Sequence, residues 1–211
     1  MNRILSAFCV FAFSVALFAG SNLAAAQEGA TLSTSEPKGR VAEIEAYAAE
    51  IDLFVKGNLK TERNFANLAT GAKYEVSAWR ELKSDDERQK AWADDKVNEI
   101  ATTWLRDGKV IGVRLVIRSA GNESTQDVMY YFRVNTTLAK SDSRLNAVAG
   151  GISVRRQDYY DSKGTVLKGT TECRDLKTLQ SKPCGDFQDK PAPYYQTVKH
   201  LPFYGLLLKR P

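Results

Sequence analysis

Apolar residues recur at alternating spacings of three and four through Val41, Ile44, Ala48, Ile51 and Val55, while Glu43, Glu45, Glu50 and Lys56 fall off that stripe. The pattern predicts an amphipathic helix with one buried face, closed by Gly57. The stretch 58–83 carries Phe65, Leu68, Tyr74, Val76, Trp79 and Leu82 without a clean period, so no element is assigned there. Ser84-Asp85-Asp86-Glu87 reads as a capping box. It predicts a short helix from Asp85 to about Ala93, with Trp92 turned inward.

From Lys96 the period changes from helical to alternating. Ile100, Thr102 and Trp104 lead into Arg106-Asp107-Gly108-Lys109, and Asp-Gly between two such runs signals a tight hairpin. The returning strand, Val110 to Arg118, is expected to turn Ile111, Val113, Leu115 and Ile117 to one side and Arg114, Val116 and Arg118 to the other. A third strand follows with Val128, Tyr130, Phe132 and Val134 on one face. A weaker strand spans Leu138 to Leu145. Ile152 to Tyr160 pairs with Val166 to Leu176 through Asp161-Ser162-Lys163-Gly164. The segment from Lys177 is irregular, punctuated by Pro183, Pro191, Pro193 and Pro202 and rich in Tyr and Phe. That much apolar material predicts a tail wrapped over the core rather than one left in water.

These elements define an α+β fold. An N-terminal amphipathic helix packs on the concave face of a curved antiparallel meander of about six strands, and an irregular aromatic C-terminal tail follows.

Ahead of this domain lies a different kind of sequence. Arg3, the apolar run Ile4–Ala19 and the small residues Ala24-Ala25-Ala26 have the order of a cleavable signal peptide. The run is short for a bilayer span of about 20 apolar residues. The division expected is therefore a signal peptide at 1–26, a flexible lead at 27–39 and a single domain at 40–211, with a periplasmic or secreted location and no transmembrane span after cleavage. Cysteine use agrees. Beyond the leader only Cys173 and Cys184 remain, and a lone pair in an oxidising compartment predicts a disulfide contributing about 2–3 kcal/mol.

Net charge is +5 over 211 residues, with both signs interspersed. No basic face with interleaved aromatics marks a nucleic-acid module. A single histidine, His200, leaves no multi-histidine metal site. Glycine-rich phosphate loops and a G-x-S-x-G elbow are absent, so no cofactor and no nucleophile are indicated.

Two constellations remain as candidates. Arg114, Arg118, Arg133 and Arg156, with Tyr131 and Tyr159, form the expected binding surface, because guanidinium forks grip carboxylate or phosphate and tyrosine rings suit a cleft. Asp158 and Glu172, on neighbouring strands, are the candidate acid and base of a hydrolase. The functional expectation is an exported, non-enzymatic binding or accessory domain of the cell envelope, whose partner is a small molecule, a lipid or an envelope protein. The alternatives are that hydrolase and an interaction protein docking through its aromatic tail.

Overall fold

The computed structural model describes residues 37–58, 62–68, 78–93, 97–188 and 191–209. The expected signal peptide and positions 27–36 of the expected lead lie outside them, as do Tyr74 and Val76. The order is α1 (Pro37–Gly57), β1 (Arg63–Asn67), β2 (Trp79–Leu82), α2 (Asp85–Ala93), β3 (Glu99–Arg106), β4 (Lys109–Arg118), β5 (Ser124–Phe132), β6 (Leu138–Ala147), β7 (Ile152–Tyr160), β8 (Val166–Asp175) and α3 (Tyr204–Leu207). The fold is α+β, with eight strands in one antiparallel sheet ordered β2-β1-β3-β4-β5-β6-β7-β8.

Two of those strands have no counterpart in the six expected. β1 and β2 occupy the stretch without a clean period, and for β1 the reason is burial on both faces. Asn64, Phe65 and Ala66 are consecutive and all buried. Phe65 stacks on Phe203 of the tail at 4.8 Å. Ala66 packs on the other side with Leu82, Ile100 and Ala91 of α2. A strand covered twice shows no alternation.

α1 starts at Pro37, so residues 37–39 belong to the helix rather than to a flexible lead. Its stripe is confirmed, with Ile44, Ala48 and Ile51 at 2% exposure or less. At its end Asn58 donates through Nδ2 to the Phe54 carbonyl at 2.8 Å, satisfying one of the free C-terminal acceptors. α2 opens at Ser84, with the return bond to Glu87 coming from one residue earlier than a capping box places it. The Glu87 N–H donates to Ser84 Oγ at 3.2 Å, and Glu87 Oε2 accepts from the Lys83 N–H at 2.8 Å. Trp92 is a correction: it is exposed rather than turned inward, and it carries the Arg118 guanidinium 4.2 Å above its ring.

The β3–β4 turn is the tight hairpin expected. Asp107 and Gly108 both have positive φ (52° and 73°), the twist that suits paired strands. Immediately after it the pairing slips between Trp104 and Leu105, so that Leu105 faces Val110 but Trp104 faces Gly112. The extra residue reverses the side-chain sense. Val110 joins Val113 and Leu115 in the main core, whereas Ile111 packs with Ile51 and Ala48 of α1. Ile111 therefore does not share a face with Val113. Val134 likewise lies past the end of β5 and is exposed.

The sheet has two unlike faces. On one, Val113, Leu115, Val128, Tyr130 and Phe132 meet Val198, Leu201 and Phe203 of the C-terminal segment. That segment is held by charge as well as packing. Arg63, itself paired with Glu81 at 2.7 and 2.8 Å, donates to the Leu206 and Leu207 carbonyls at 3.0 Å and to Lys209 O at 3.2 Å. A guanidinium at the end of α3 meets acceptors the helix cannot satisfy itself. Cys173 and Cys184 are joined by a disulfide across a separation of 11 residues. On the other face, α1 lies against β4, β6 and β8, and α2 against β1 and β2. No helix among the described residues is long and apolar enough to cross a membrane.

Candidate binding cleft

Cross-strand register arranges the helix-bearing face in rows. Directly opposed residues share a face, which makes the rows readable from the pairing. One row runs Trp104, Gly112, Tyr131, Lys140, Tyr159. It seats α1. Gly112 permits the approach, since a Cβ there would stand 3.0 Å from the Met129 methyl and 3.4 Å from Ile51. Lys140, 5% exposed, is paired with Glu45 of α1 at 2.7 Å. Tyr159 donates its hydroxyl to Glu45 Oε1, and Tyr131 donates to Asp52 Oδ1 at 3.0 Å. Burial first, and then the neighbouring carboxylates, push both phenols well above the ordinary tyrosine range. They remain neutral donors.

In the next two rows Met129 packs against the α1 cluster, and the charged positions lie beyond it. One reads Thr102, Arg114, Met129, Asp142, Gln157; the other reads Val116, Asp127, Arg144, Arg155. All of them except Gln157 and Val116 line the floor of a cleft of about 570 Å³. Asp52 and Val55 wall it on the α1 side, Asp85 and Arg88 on the α2 side, with Glu62, Trp104 and Tyr131 completing it.

Electrostatics on the floor follow from diagonal pairing. Arg114 grips Asp127 through Nε at 3.0 Å and Nη2 at 2.6 Å. Arg155 grips Asp142 in the same way at 3.0 and 2.6 Å, and Gln157 adds a third donor to Asp142 at 2.9 Å. Hydrogen bonding to those carboxylates raises both arginines above the usual guanidinium value. Arg144 is left between the two pairs. It stands directly opposite Asp127, whose oxygens Arg114 holds, and directly opposite Arg155, a like charge. Arg144 is exposed and makes no hydrogen bond or ion pair among the described residues.

The six residues expected to bind are dispersed. Arg114 and Tyr131 line the cleft. Tyr159 lies on the same face but beneath α1, at 3% exposure. Arg118 lies at the far end of β4, donating to the Val97 carbonyl at 2.6 Å. Arg133 is consumed by the loops, donating to the Leu138 and Tyr160 carbonyls, and burial lowers its pKa. Arg156 is on the tail-bearing face, paired with Asp158 at 2.7 Å. Tyr131 and Tyr159 both lie on the face opposite the tail.

Neither Arg144 nor Arg155 stands out along the chain, and the strand that carries Arg144 has only a weak apolar pattern. The signal was alternation: Asp142, Arg144 and the row partners Arg114 and Arg155 share one parity once the strands are aligned.

Asp158 and Glu172 fall on opposite faces. Asp158 pairs with Gly169, and Glu172 pairs with Arg155, which points the other way. They do not meet in one site. His200 is exposed, and its Nδ1 lies 3.3 Å from the Thr197 N–H, which it caps. Among the described residues no cluster of three or more His, Cys, Asp and Glu side chains is arranged to hold a metal ion. Comparison with protein-family models, curated proteins and solved structures finds no match.

Proposed function

We propose that this protein is an exported, non-enzymatic binding domain that holds a small polar ligand in the cleft above its charged sheet floor. The observation that carries the reading is Arg144, borne by a central strand in a cleft of about 570 Å³, with no hydrogen-bond or ion-pair partner among the described residues. That volume lies in the range of small-molecule sites. Export is supported by the leader-like sequence and by the disulfide.

Polarity of the lining favours a polar ligand over a lipid. The contact between α1 and the sheet is packed by Ile44, Ala48 and Ile51 against Ile111, Tyr131, Ala139 and Tyr159. An apolar carrier would need that space. Binding through the tail is disfavoured because Val198, Leu201 and Phe203 are buried in the main core. Hydrolysis by paired carboxylates is disfavoured because Asp127 and Asp142 are each bound by arginine and Asp158 and Glu172 are apart.

The test is a thermal-shift screen of low-molecular-weight fractions from the protein's own compartment. A ligand that binds only the folded form at 100 times its Kd adds about 2.7 kcal/mol of stability. A fraction that raises Tm for the wild type, but not for Val55→Trp at the cleft wall, supports the reading. Fractions that act on both proteins equally contradict it.

A further inference from the structure

We propose that the ligand is a short peptide with free termini, three to four residues long, its carboxylate on Arg144 and its ammonium toward Asp52 and Glu62. The inference rests on the cleft being a binding site, and adds the chemistry of what enters.

A donor and acceptor count sets the carboxylate. Every carboxylate oxygen on the floor already accepts: Asp127 from Arg114, and Asp142 from Arg155 and Gln157. What remains is donors, foremost the whole fork of Arg144, which a planar carboxylate matches with two parallel bonds. A ligand must bring acceptors to this floor.

Charge sets the rest. The lining as a whole holds four arginines and five carboxylates. A multiply charged anion such as phosphate would meet that acidic surplus. A molecule with one negative and one positive end would not. Among the described residues Glu62 has only the Asn64 side chain as donor, at 3.3 Å, and Asp52 has the Tyr131 hydroxyl. Both carboxylates keep lone pairs for an ammonium.

Spacing sets the length. Asp52 is tied to Tyr131, and Arg144 lies opposite Asp127, four positions along the same strand. At about 3.4 Å per strand residue the Cα atoms of Tyr131 and Asp127, which mark the two ends, lie about 14 Å apart along β5. An extended chain covers at most about 3.3–3.6 Å per residue. Three or four extended residues span that separation. Met129 lies between them as an apolar rest for the peptide's middle.

Calorimetric titration with alanine peptides tests this. Tetra-alanine with free ends is compared with its C-terminal amide, its N-acetyl form, single alanine and inorganic phosphate, on the wild type and on Arg144→Gln. Amide spectra of the labelled variant verify that it folds. Tetra-alanine should bind the wild type and perturb Met129, Tyr131 and Arg144. Amidation and Arg144→Gln should each weaken it at least tenfold, and together no further, because they remove the same contact. Acetylation should weaken it as well, and single alanine should bind far less. Equal binding of the amide, indifference to Arg144→Gln, phosphate binding more tightly, or no binding of tetra-alanine at millimolar concentration would each overturn the assignment. If tetra-alanine fails while a compartment fraction still shifts the wild type and not Val55→Trp, the cleft stands and only the peptide falls.

Discussion

Arg133 and Arg144 look alike in the sequence, each an arginine beside strand residues, and the fold gives them opposite work. Arg133 ties the β5–β6 loop to the end of β7 by donating to the Leu138 and Tyr160 carbonyls. Replacing it with glutamine leaves these acceptors short of a charged donor and should cost about 2 kcal/mol in urea unfolding, with cleft binding unchanged. Arg144→Gln should leave stability within about 0.5 kcal/mol and affect binding alone. Glu45 gives a pH dependence. Burial raises its pKa, but hydrogen bonds from Lys140 and Tyr159 together outweigh burial and hold it below its ordinary 4.5. A depressed carboxylate contributes stability that is complete above the unfolded value and lost as pH falls through the folded one. Tm measured from pH 7 to pH 3 should therefore fall below about pH 4.5, and Glu45→Gln should flatten that fall while lowering Tm at pH 7. None of these roles was legible, because a side chain's partner depends on which strand lies beside it.

At the scale of elements, the sequence was legible where one face is covered and the other wet. α1, the β3–β4 hairpin and the pairing of β7 with β8 follow from period and turn residues. β1 was not, because its buried run Asn64-Phe65-Ala66 alternates in nothing. Ile111 was misplaced because a bulge has no signature in the apolar pattern. That bulge has a consequence for α1. Ile111→Ala removes a 2% exposed contact to the helix and should cost about 2–5 kcal/mol, with hydrogen exchange rising in α1 more than in β3. The tail behaves as core. Phe203→Ala, which breaks the stack on Phe65 and the contact with Trp79 at 4.9 Å, should cost about 3–5 kcal/mol by chemical denaturation. Removing 191–211 should unfold the domain rather than free an interface.

For the whole molecule, the division of labour lies between the two faces of one sheet. The tail seals one face with the main core. The other is shared by α1 at one side and α2 at another, and the charged rows between them stay open. A cleft of this kind is invisible along the chain. Its floor draws one or two residues from each of five strands, and its walls come from helices far apart in sequence. Only the arginine content and the alternation hinted that a charged face existed. The measurement that tests the account most directly is native mass spectrometry of the protein purified gently from its native source, compared with Val55→Trp prepared in the same way. The account predicts a small-molecule adduct on the wild type that is absent from the variant; an identical mass spectrum for the two, bare or loaded, would contradict it.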